Sequence, residues 1–398
     1  MNTSQLILHS ENALHPPLRA LVFFLFGVLA VLNGAATPIA PSELAAPKIE
    51  RVAGTLYFRV QPSVAGRRYQ LQYSDTMGVG SWLNIGEVAI GNGSNLEMTT
   101  PFTAAVSKRF FRLALDGVVV VPEGFSLIPA SSFIMGDSDS ASPDPLAPRV
   151  TVTASAFYIE KHEVTKALWD NVRIWGATNG YTDLRTGGGK GSDHPVQTVS
   201  WYDAVKWCNA RSQKDGLAPV YTVSGAVMKI GVAEPIANWS ANGYRLPTEA
   251  EWEKAARGGV SGRRFPSGSN AINHNQANYR ATPLYSYDLS GAVNNYHPIY
   301  ATGLTPYTSP VGSFPFNGYE LNEMAGNVSE WCWDWYGDST YQNNSSDPRG
   351  PTSGSSRVHR GGNWIADAFS CRVALRASSA PTSSNNYTGF RVARSSVP

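Results

Sequence analysis

Apolar and polar residues alternate with a period of two through residues 47–116. Glycine-containing turns such as Gly91-Asn-Gly-Ser94 separate the alternating runs. Short alternating strands joined by such turns predict a small all-β sandwich domain over 47–116. The apolar positions that share a strand face are Leu56, Phe58 and Val60, then Tyr69, Leu71 and Tyr73, and finally Phe111, Leu113 and Leu115.

The pattern changes after a predicted linker at 117–124, and residues 125–396 form a second predicted domain. Three short helices stand out there, over 165–172, over 200–211 and from Thr248 to Gly258-Gly259. Thr165 and Thr248 are suited to cap the first and third helices, and Thr248 with Glu251 forms the sequence pattern of a capping box. The rest of the domain reads as short strands and long loops, so the predicted fold class is α+β.

The middle helix has an apolar stripe. Trp201, Ala204, Val205 and Cys208 are spaced i, i+3, i+4 and i+7, which places them on one helical face. Cys208 is therefore predicted to be a buried packing thiol rather than a reactive one.

The N-terminal segment reads as an export signal. Arg19 precedes an apolar run over 20–32, and small residues follow up to Ala36. A positive residue, a short apolar run and a small-residue exit are typical of a secretory signal peptide, here residues 1–36. The run is short for a membrane span, which needs about 20 residues. A Pro/Ala linker follows at 37–46, and we expect a secreted, periplasmic or cell-surface protein with no membrane span after cleavage.

Composition narrows the function classes. The 398-residue chain carries 32 Lys+Arg and 30 Asp+Glu, a net charge of +2, which gives no basic field for a nucleic-acid partner. Hydrophobic residues make up 42% and the mean hydropathy is −0.22, which excludes a multi-span membrane protein and a disordered chain. Charged residues are only 16%, and Gly, Pro and aromatic residues are abundant, so the fold should be rich in loops.

Metal-binding and nucleophile motifs are scarce. Cys208, Cys332 and Cys371 are the three cysteines, an odd number, and none forms a C-x-x-C pair. The histidines form no H-E-x-x-H pair, and neither G-x-S-x-G nor a P-loop is present. A sequence-local zinc or iron site is therefore not expected.

A series of strings in the second domain carries a family resemblance. They run in unbroken order from Phe133 to Arg391 and resemble the formylglycine-generating enzyme, or sulfatase-modifying factor, family. The resemblance implies a C-type-lectin-like fold of low secondary-structure content that calcium stabilises. The strings are Phe133-Ile-Met-Gly-Asp137, Glu163-Val-Thr165, His194-Pro-Val196, Val199-Ser-Trp201, R-L-P-T-E-A-E-W-E at 245–253, Gly326-Asn-Val-Ser-Glu-Trp331, Arg360-Gly-Gly-Asn-Trp364, Cys371-Arg372 and Gly389-Phe-Arg391.

The resemblance implies a calcium site around the G-N-x-x-E-W turn. Its ligands would be the side chains of Glu323 and Glu330 and the carbonyls of Gly326 and Val328, which are hard oxygen donors. The alternative is that Glu330 pairs with an arginine such as Arg360.

A second calcium site is implied at the string Ala277-Asn-Tyr-Arg280. Asn278 and Tyr279 would contribute ligands to it. The aspartate that the family places later falls in a longer stretch here, near Gly303, and the nearest acidic residue is Asp288.

The resemblance also implies copper(I) chemistry, because family members oxidise a substrate cysteine to formylglycine with two cysteines five residues apart. Cys371 stands where the first of these belongs and is the candidate catalytic residue. Arg376 lies five residues on, and counting back from Gly389 gives Val373 instead, so neither count finds a second cysteine. A two-coordinate copper(I) site needs two soft ligands. Ser329 also replaces a tryptophan that is usual in the family.

Three hypotheses follow for function. The chain is an exported family member that oxidises thiols by a variant site, a non-catalytic calcium-stabilised module for a polypeptide or glycan ligand, or an adhesive surface protein. In the last, residues 47–116 resemble immunoglobulin- or fibronectin-like modules and act as a spacer. Trp331, Trp333 and Trp335 alternate along one predicted strand, where they belong to the core or line a groove for such a ligand.

Overall fold

The computed structural model describes most of the chain from Lys48 onward. The described residues are 48–52, 55–60, 67–74, 83–92, 95–101, 110–118, 121–137, 147–290, 295–337, 341 and 343–396. They belong to two compact units, Met1–Val121 and Pro122–Pro398. The predicted signal peptide at 1–36 and the linker at 37–46 lie outside the described residues. No helix among the residues just given is both long and apolar enough to cross a bilayer.

The first unit contains two antiparallel three-stranded sheets, with the strand orders β1-β2-β5 and β4-β3-β6. Leu56, Phe58 and Val60 are buried on one face of β2, as the alternation predicts, and they share a core with Tyr69 and Leu71 of β3. The immunoglobulin- or fibronectin-like sandwich stays a prediction. The strands are β1 Lys48–Val52, β2 Thr55–Val60, β3 Arg67–Ser74, β4 Leu83–Ile90, β5 Leu96–Pro101 and β6 Phe110–Val118.

The second unit holds the three helices of the described part of the chain: α1 Lys166–Ala177, α2 Trp201–Lys214 and α3 Glu249–Ala256. The predicted caps are confirmed, because the side chains of Thr165 and Thr248 accept hydrogen bonds from the N–H groups three residues on. The Thr248–Glu251 capping box is complete. The apolar stripe of α2 is fully buried, Cys208 included.

Short strands form the rest of the second unit. They build three-stranded sheets in the orders β19-β10-β7, β15-β9-β8 and β12-β11-β13, and one four-stranded sheet, β17-β16-β14-β18. The unit is therefore mostly β with few helices. The strands are β7 Phe125–Ile128, β8 Ser131–Met135, β9 Val150–Ala154, β10 Phe157–Glu160, β11 Tyr221–Val223, β12 Ala226–Val227, β13 Ile236–Ala237, β14 Ser329–Trp335, β15 Ser345–Ser346, β16 Arg357–Arg360, β17 Ala377–Ser379, β18 Thr388–Gly389 and β19 Ala393–Ser395.

Helix α3 explains why the string at 245–253 is so rich in charge. Each of its three glutamates is buried and paired with arginine: Glu251 binds Arg245, Glu249 binds Arg376, and Glu253 binds Arg360. Buried charges are tolerated when they are paired and hydrogen-bonded. The pairs with Arg360 and Arg376 tie α3 to segments more than 100 residues away, and all three pairs give the string a structural role.

Candidate functional site

The turn that leads into β14 is tightly wound. Glu323, Gly326 and Asn327 all have positive φ angles, of 51°, 78° and 59°. The buried carboxylate of Glu323 accepts hydrogen bonds from the backbone N–H groups of Gly312 (2.9 Å) and Phe314 (3.3 Å). The predicted calcium ligands Glu323, Gly326 and Val328 therefore lie on one buried turn, with the Glu323 carboxylate anchored by backbone donors.

Glu330 is held by an arginine, but not by Arg360. The guanidinium of Arg391 donates to both carboxylate oxygens of Glu330, at 2.7 and 2.6 Å, and Trp252 Nε1 donates to Oε2 at 2.6 Å. Arg360 lies opposite Glu330 on β16, yet its guanidinium turns to Glu253. Both oxygens of Glu330 are thus engaged by protein donors.

A third carboxylate joins this turn, and the sequence reasoning did not single it out as a ligand. Glu163 accepts hydrogen bonds from Asn327 Nδ2 (2.7 Å) and from the N–H of Val328 (3.1 Å). Burial raises the pKa of Glu163 well above its ordinary value, and the nearby charges of Glu330 and Glu323 raise it further. Three buried carboxyl groups thus share the neighbourhood of one arginine, Arg391.

Asn278 is brought against the same turn. It bridges to Gly326, and its carbonyl accepts the N–H of Asn327 at 2.8 Å. Its side-chain nitrogen donates to the carbonyl of Tyr307, but its buried Oδ1 has no hydrogen-bond partner. A buried amide oxygen without a donor is costly, and a cation would satisfy it.

Tyr279 and Asp288 instead brace a loop. The hydroxyl of Tyr279 donates to Asp288 Oδ1 at 2.6 Å, and Asp288 Oδ2 accepts the N–H of Thr282 at 2.8 Å. The carbonyl of Tyr279 lies 3.1 Å from Nε2 of His274. These oxygens already have partners, so little donor capacity is left for a second cation.

Most of the oxygen atoms around this turn are of the kinds that calcium prefers as ligands. Glu323, the carbonyls of Gly326 and Val328, and the orphaned Asn278 Oδ1 fit a hard cation, and Glu163 adds a carboxylate beside them. Glu330 does not fit as a ligand while Arg391 holds both its oxygens. Among the residues that the structure describes, no group of three or more His, Cys, Asp or Glu side chains is placed to hold a metal ion. A site here would therefore depend on carbonyl and amide oxygens.

Cys371 is completely buried. It packs with small and aromatic residues such as Ala325, Ala368 and Tyr279. Burial raises the pKa of its thiol, and the charges of Asp367 and Asp288 raise it further. The thiolate is the form that binds metals and reacts, so this environment suppresses both properties.

The other two cysteines do not complete a pair with Cys371. Cys208 lies in α2 and Cys332 in β14, and all three thiols are free and buried. Cys332 belongs to a different core cluster from Cys371. Burial raises the pKa of Cys208 and of Cys332 as well.

The tryptophans of β14 are packed rather than aligned along a groove. Trp331 and Trp335 are buried, and the half-buried ring of Trp333 stacks on Tyr221 with 5.3 Å between ring centroids. Trp333 also meets the edge of Trp239 at 5.6 Å. Trp239 was missed by the sequence analysis, because no periodic pattern marks its loop.

Proteins of similar sequence indicate the family of this chain. The chaperone protein LppX of Paenibacillus barcinonensis is 34% identical over 253 residues, which span 61% of this chain and 82% of LppX. A formylglycine-generating enzyme of Thermomonospora curvata is 32% identical over 297 residues, which span 69% of this chain and 94% of the enzyme.

A solved structure and a family model also match this chain. Treponema denticola variable protein 1 superposes with a TM-score of 0.52 and 30% identity, over 68% of this chain and 94% of that protein. The Sulfatase-modifying factor enzyme 1-like domain matches residues 104–396 of this chain. The chain therefore belongs to the sulfatase-modifying factor (formylglycine-generating enzyme) family.

Proposed function

We propose that this protein is an exported, non-catalytic member of its family, a calcium-ordered module that binds a polypeptide or glycan. The main support for the proposal is the buried position of Cys371 and the absence of a second cysteine at the implied spacing. Its thiol is fully buried in an apolar cluster, and no second cysteine follows where the resemblance implies one. Copper(I) chemistry of the kind that the resemblance implies needs two thiolates.

Thiol oxidation is the second candidate function. Relatives named formylglycine-generating enzymes favour it, and so does the presence of Cys371 at the first of the two implied positions. Oxidation would require Cys371 to become accessible and to find another soft ligand.

Copper(I) titration distinguishes the two candidates. We expect the reduced mature protein to compete no better for copper(I) than its Cys371→Ser variant, against a chelator of known affinity. We also expect no aldehyde to form on cysteine-containing peptides. Stoichiometric copper binding that the variant loses, together with aldehyde formation, would overturn the binding-module proposal. The Cys208→Ser variant is the matched control, because Cys208 is equally buried.

Calcium is proposed as the resident ion of the turn that precedes β14. Glu323, Asn278 Oδ1 and the carbonyls of Gly326 and Val328 would hold it, with Glu163 adding charge. When bound, calcium supplies positive charge and fixed coordination to a loop-rich region. The residues themselves fix the turn, because Glu323 is tied to Gly312 and Phe314 by backbone donors. This proposal goes with a C-type-lectin-like fold for the second unit and a β-sandwich for the first.

Calcium is expected to stabilise the folded protein, and Glu323 is the ligand to test. An ion that binds only the folded state adds about 2.7 kcal/mol when its concentration is 100 times the dissociation constant. We expect calcium to raise the melting temperature of the EGTA-treated protein, and Glu323→Gln to lose most of that rise. Glu320→Gln is the control, because Glu320 is exposed and its carboxylate pairs with Lys161 on the surface. An equal rise in both variants would contradict the assignment of Glu323.

Export is proposed from the apolar run at 20–32 and its small-residue exit. N-terminal sequencing of the protein recovered outside the cytoplasm tests this step, and a mature terminus near Ala36 is the expected result. A chain that stays in the cytoplasm with an intact N-terminus would refute it.

A further inference from the structure

A cleft of about 250 Å³ opens beside the first turn of α3, away from the turn at Glu323 and from Cys371. Trp239 forms one wall, the end of β9 with Ser155 forms another, and the segment 347–349 forms a third. The lining is mainly apolar, with a few polar groups among the apolar surface, as in small-molecule sites.

Most charges in the cleft already have partners. Arg245 lies at its base and binds Glu251 through two hydrogen bonds of 2.7 Å. The Asp347 carboxylate accepts from the N–H of Ser155 at 2.6 Å and from its hydroxyl at 2.7 Å. The Arg245–Glu251 pair is neutral. Asp347 keeps its negative charge, because its partners are uncharged, but Ser155 rather than Arg349 engages both of its oxygens.

Arg349 is different. It is exposed, and its guanidinium lies over the ring of Trp239 with 4.2 Å to the ring centroid. Among the residues that the structure describes, Arg349 makes no ion pair and no side-chain hydrogen bond. A guanidinium has five N–H donors in a planar fork that matches a carboxylate. Stacking on the indole restricts Arg349 without using those donors, so the cleft presents a pre-oriented fork for an anion.

The rest of the lining favours a sugar over a peptide. Hydroxyl groups of Ser155 and Ser240 stand around the indole of Trp239, and an indole with hydroxyl groups suits a ring that has both apolar and hydroxylated faces. An extended peptide gains affinity by adding to a free strand edge. Strand β9 offers none, because β8 and β15 pair with it on both sides. A volume near 250 Å³ is also small and suits a single ring.

We propose that this cleft binds a uronic acid unit of an acidic glycan, with Arg349 taking the carboxylate and Trp239 the sugar ring. The proposal rests on the binding role proposed above and names the ligand class for it. The hydroxyl oxygens of Ser155 and Ser240 would accept hydrogen bonds from ring hydroxyls, because their own hydrogens are donated to Asp347 and Asn238.

Titration of the full-length mature protein tests the assignment. A methyl uronoside, the corresponding neutral methyl glycoside and an acetylated dipeptide acid would be titrated and followed by calorimetry and ligand-observed NMR. We expect the uronoside to bind at least tenfold more tightly than either of the other two. Arg349→Gln should weaken uronoside binding at least tenfold, and Arg349→Lys should weaken it less, because the charge remains but the fork is lost.

The matched control is Arg263→Gln. Arg263 is an exposed arginine in the loop that follows α3, beyond the helix end that is remote from the cleft. Its replacement should leave uronoside binding unchanged. Both arginines are on the surface, so a change in melting temperature is not expected for either variant, and a folding defect cannot imitate the result.

Three outcomes would overturn the assignment. Equal binding of the neutral glycoside, binding of the dipeptide acid alone, or uronoside binding that Arg349→Gln leaves intact would each exclude this cleft as a uronate site. Absence of any uronoside binding at about 10 mM, which detects dissociation constants near 1 mM, would also exclude it. The binding role itself has a separate test in the copper and aldehyde assays. Copper binding that depends on Cys371, together with aldehyde formation, would contradict it.

Discussion

Replacing Arg391 by glutamine is expected to lower the free energy of unfolding by about 3–5 kcal/mol. The guanidinium is fully buried and binds both oxygens of Glu330. It also donates to the carbonyls of Glu160, Lys161 and Asn322. Removing the charge leaves Glu330 buried and uncompensated, beside the carboxylates of Glu163 and Glu323.

Urea unfolding followed by tryptophan fluorescence measures this effect in the second unit, because every tryptophan except Trp82 lies there. The measurement is made in EGTA so that calcium cannot offset the lost charge. Arg394→Gln is the control, since Arg394 donates to the carbonyl of Asn242 and makes no ion pair with a residue that the structure describes. This substitution should cost about 1 kcal/mol. Equal losses of unfolding free energy in the two variants would show that the Arg391–Glu330 pair stabilises the fold no more than the Arg394 hydrogen bond does.

Asp334 is expected to make stability depend on pH. Burial and, to a smaller extent, the nearby charge of Glu249 raise the pKa of its carboxyl to about 7. The Tyr341 hydroxyl lies 2.6 Å from Asp334 Oδ1 and 2.7 Å from Glu249 Oε2. One hydroxyl hydrogen can serve only one of them. The pKa of Glu249 is lowered by Arg360 and Arg376 despite its burial, so Glu249 is ionised and accepts that hydrogen. Below about pH 7 Asp334 is then the protonated partner, and in that state it can donate to the tyrosine oxygen.

The direction of this pH dependence follows from whether the folded or the unfolded state keeps the Asp334 proton. Between about pH 4 and pH 7 the unfolded chain has lost the Asp334 proton and the folded protein has kept it, so stability falls as pH rises. A shift of about three pKa units corresponds to about 4 kcal/mol. The stability is complete below pH 4 and is lost by the time pH has passed 7.

The Asp334→Asn variant isolates this contribution. Its amide can donate to Tyr341 and accept from the N–H of Glu249, as the protonated acid does. We expect the variant to approach or exceed wild-type stability at pH 8, and the wild-type-minus-variant difference in unfolding free energy to fall by about 4 kcal/mol from pH 4 to pH 8. Tyr341→Phe serves as the comparison, and it should lose stability without removing the pH dependence that Asp334→Asn removes. A wild-type-minus-variant difference that does not change with pH would contradict a protonated Asp334.

Local chemistry made the helices predictable. The Thr165 and Thr248 caps act on N–H groups three residues away, so the sequence contains everything that the interaction needs. The end of α1 was harder to predict. The predicted helix ends at Val172, but α1 continues to Ala177, because no proline or cap residue stops it at Val172. Alternation likewise predicted β2 correctly, since burial on one face is a local pattern.

The partners of the buried charges could not be predicted, because they join segments far apart in sequence. Glu163 meets Asn327 across 164 residues, and Arg391 meets Glu330 across 61. The strings around Glu163 and Arg391 were part of the family resemblance, and an acidic residue two positions before the helix cap Thr165 was the one local signal for Glu163. Parallel pairing of β18 with β14 brings the segment of Arg391 to Glu330, and that pairing has no signature in the sequence.

The sheet order β19-β10-β7 has a consequence for synthesis on the ribosome. Strand β10 near the start of the second unit pairs with β19, which is translated more than 230 residues later. Arg391 and Phe390, just before β19, occupy the centre of the unit, where Phe390 packs edge-on against Trp169 and Trp207. The nascent chain must therefore wait with its core incomplete until its last strand emerges, and contacts of such long range also make folding slow. Late completion of the core is compatible with the export proposed above, because a translocation channel takes a chain that has not yet folded.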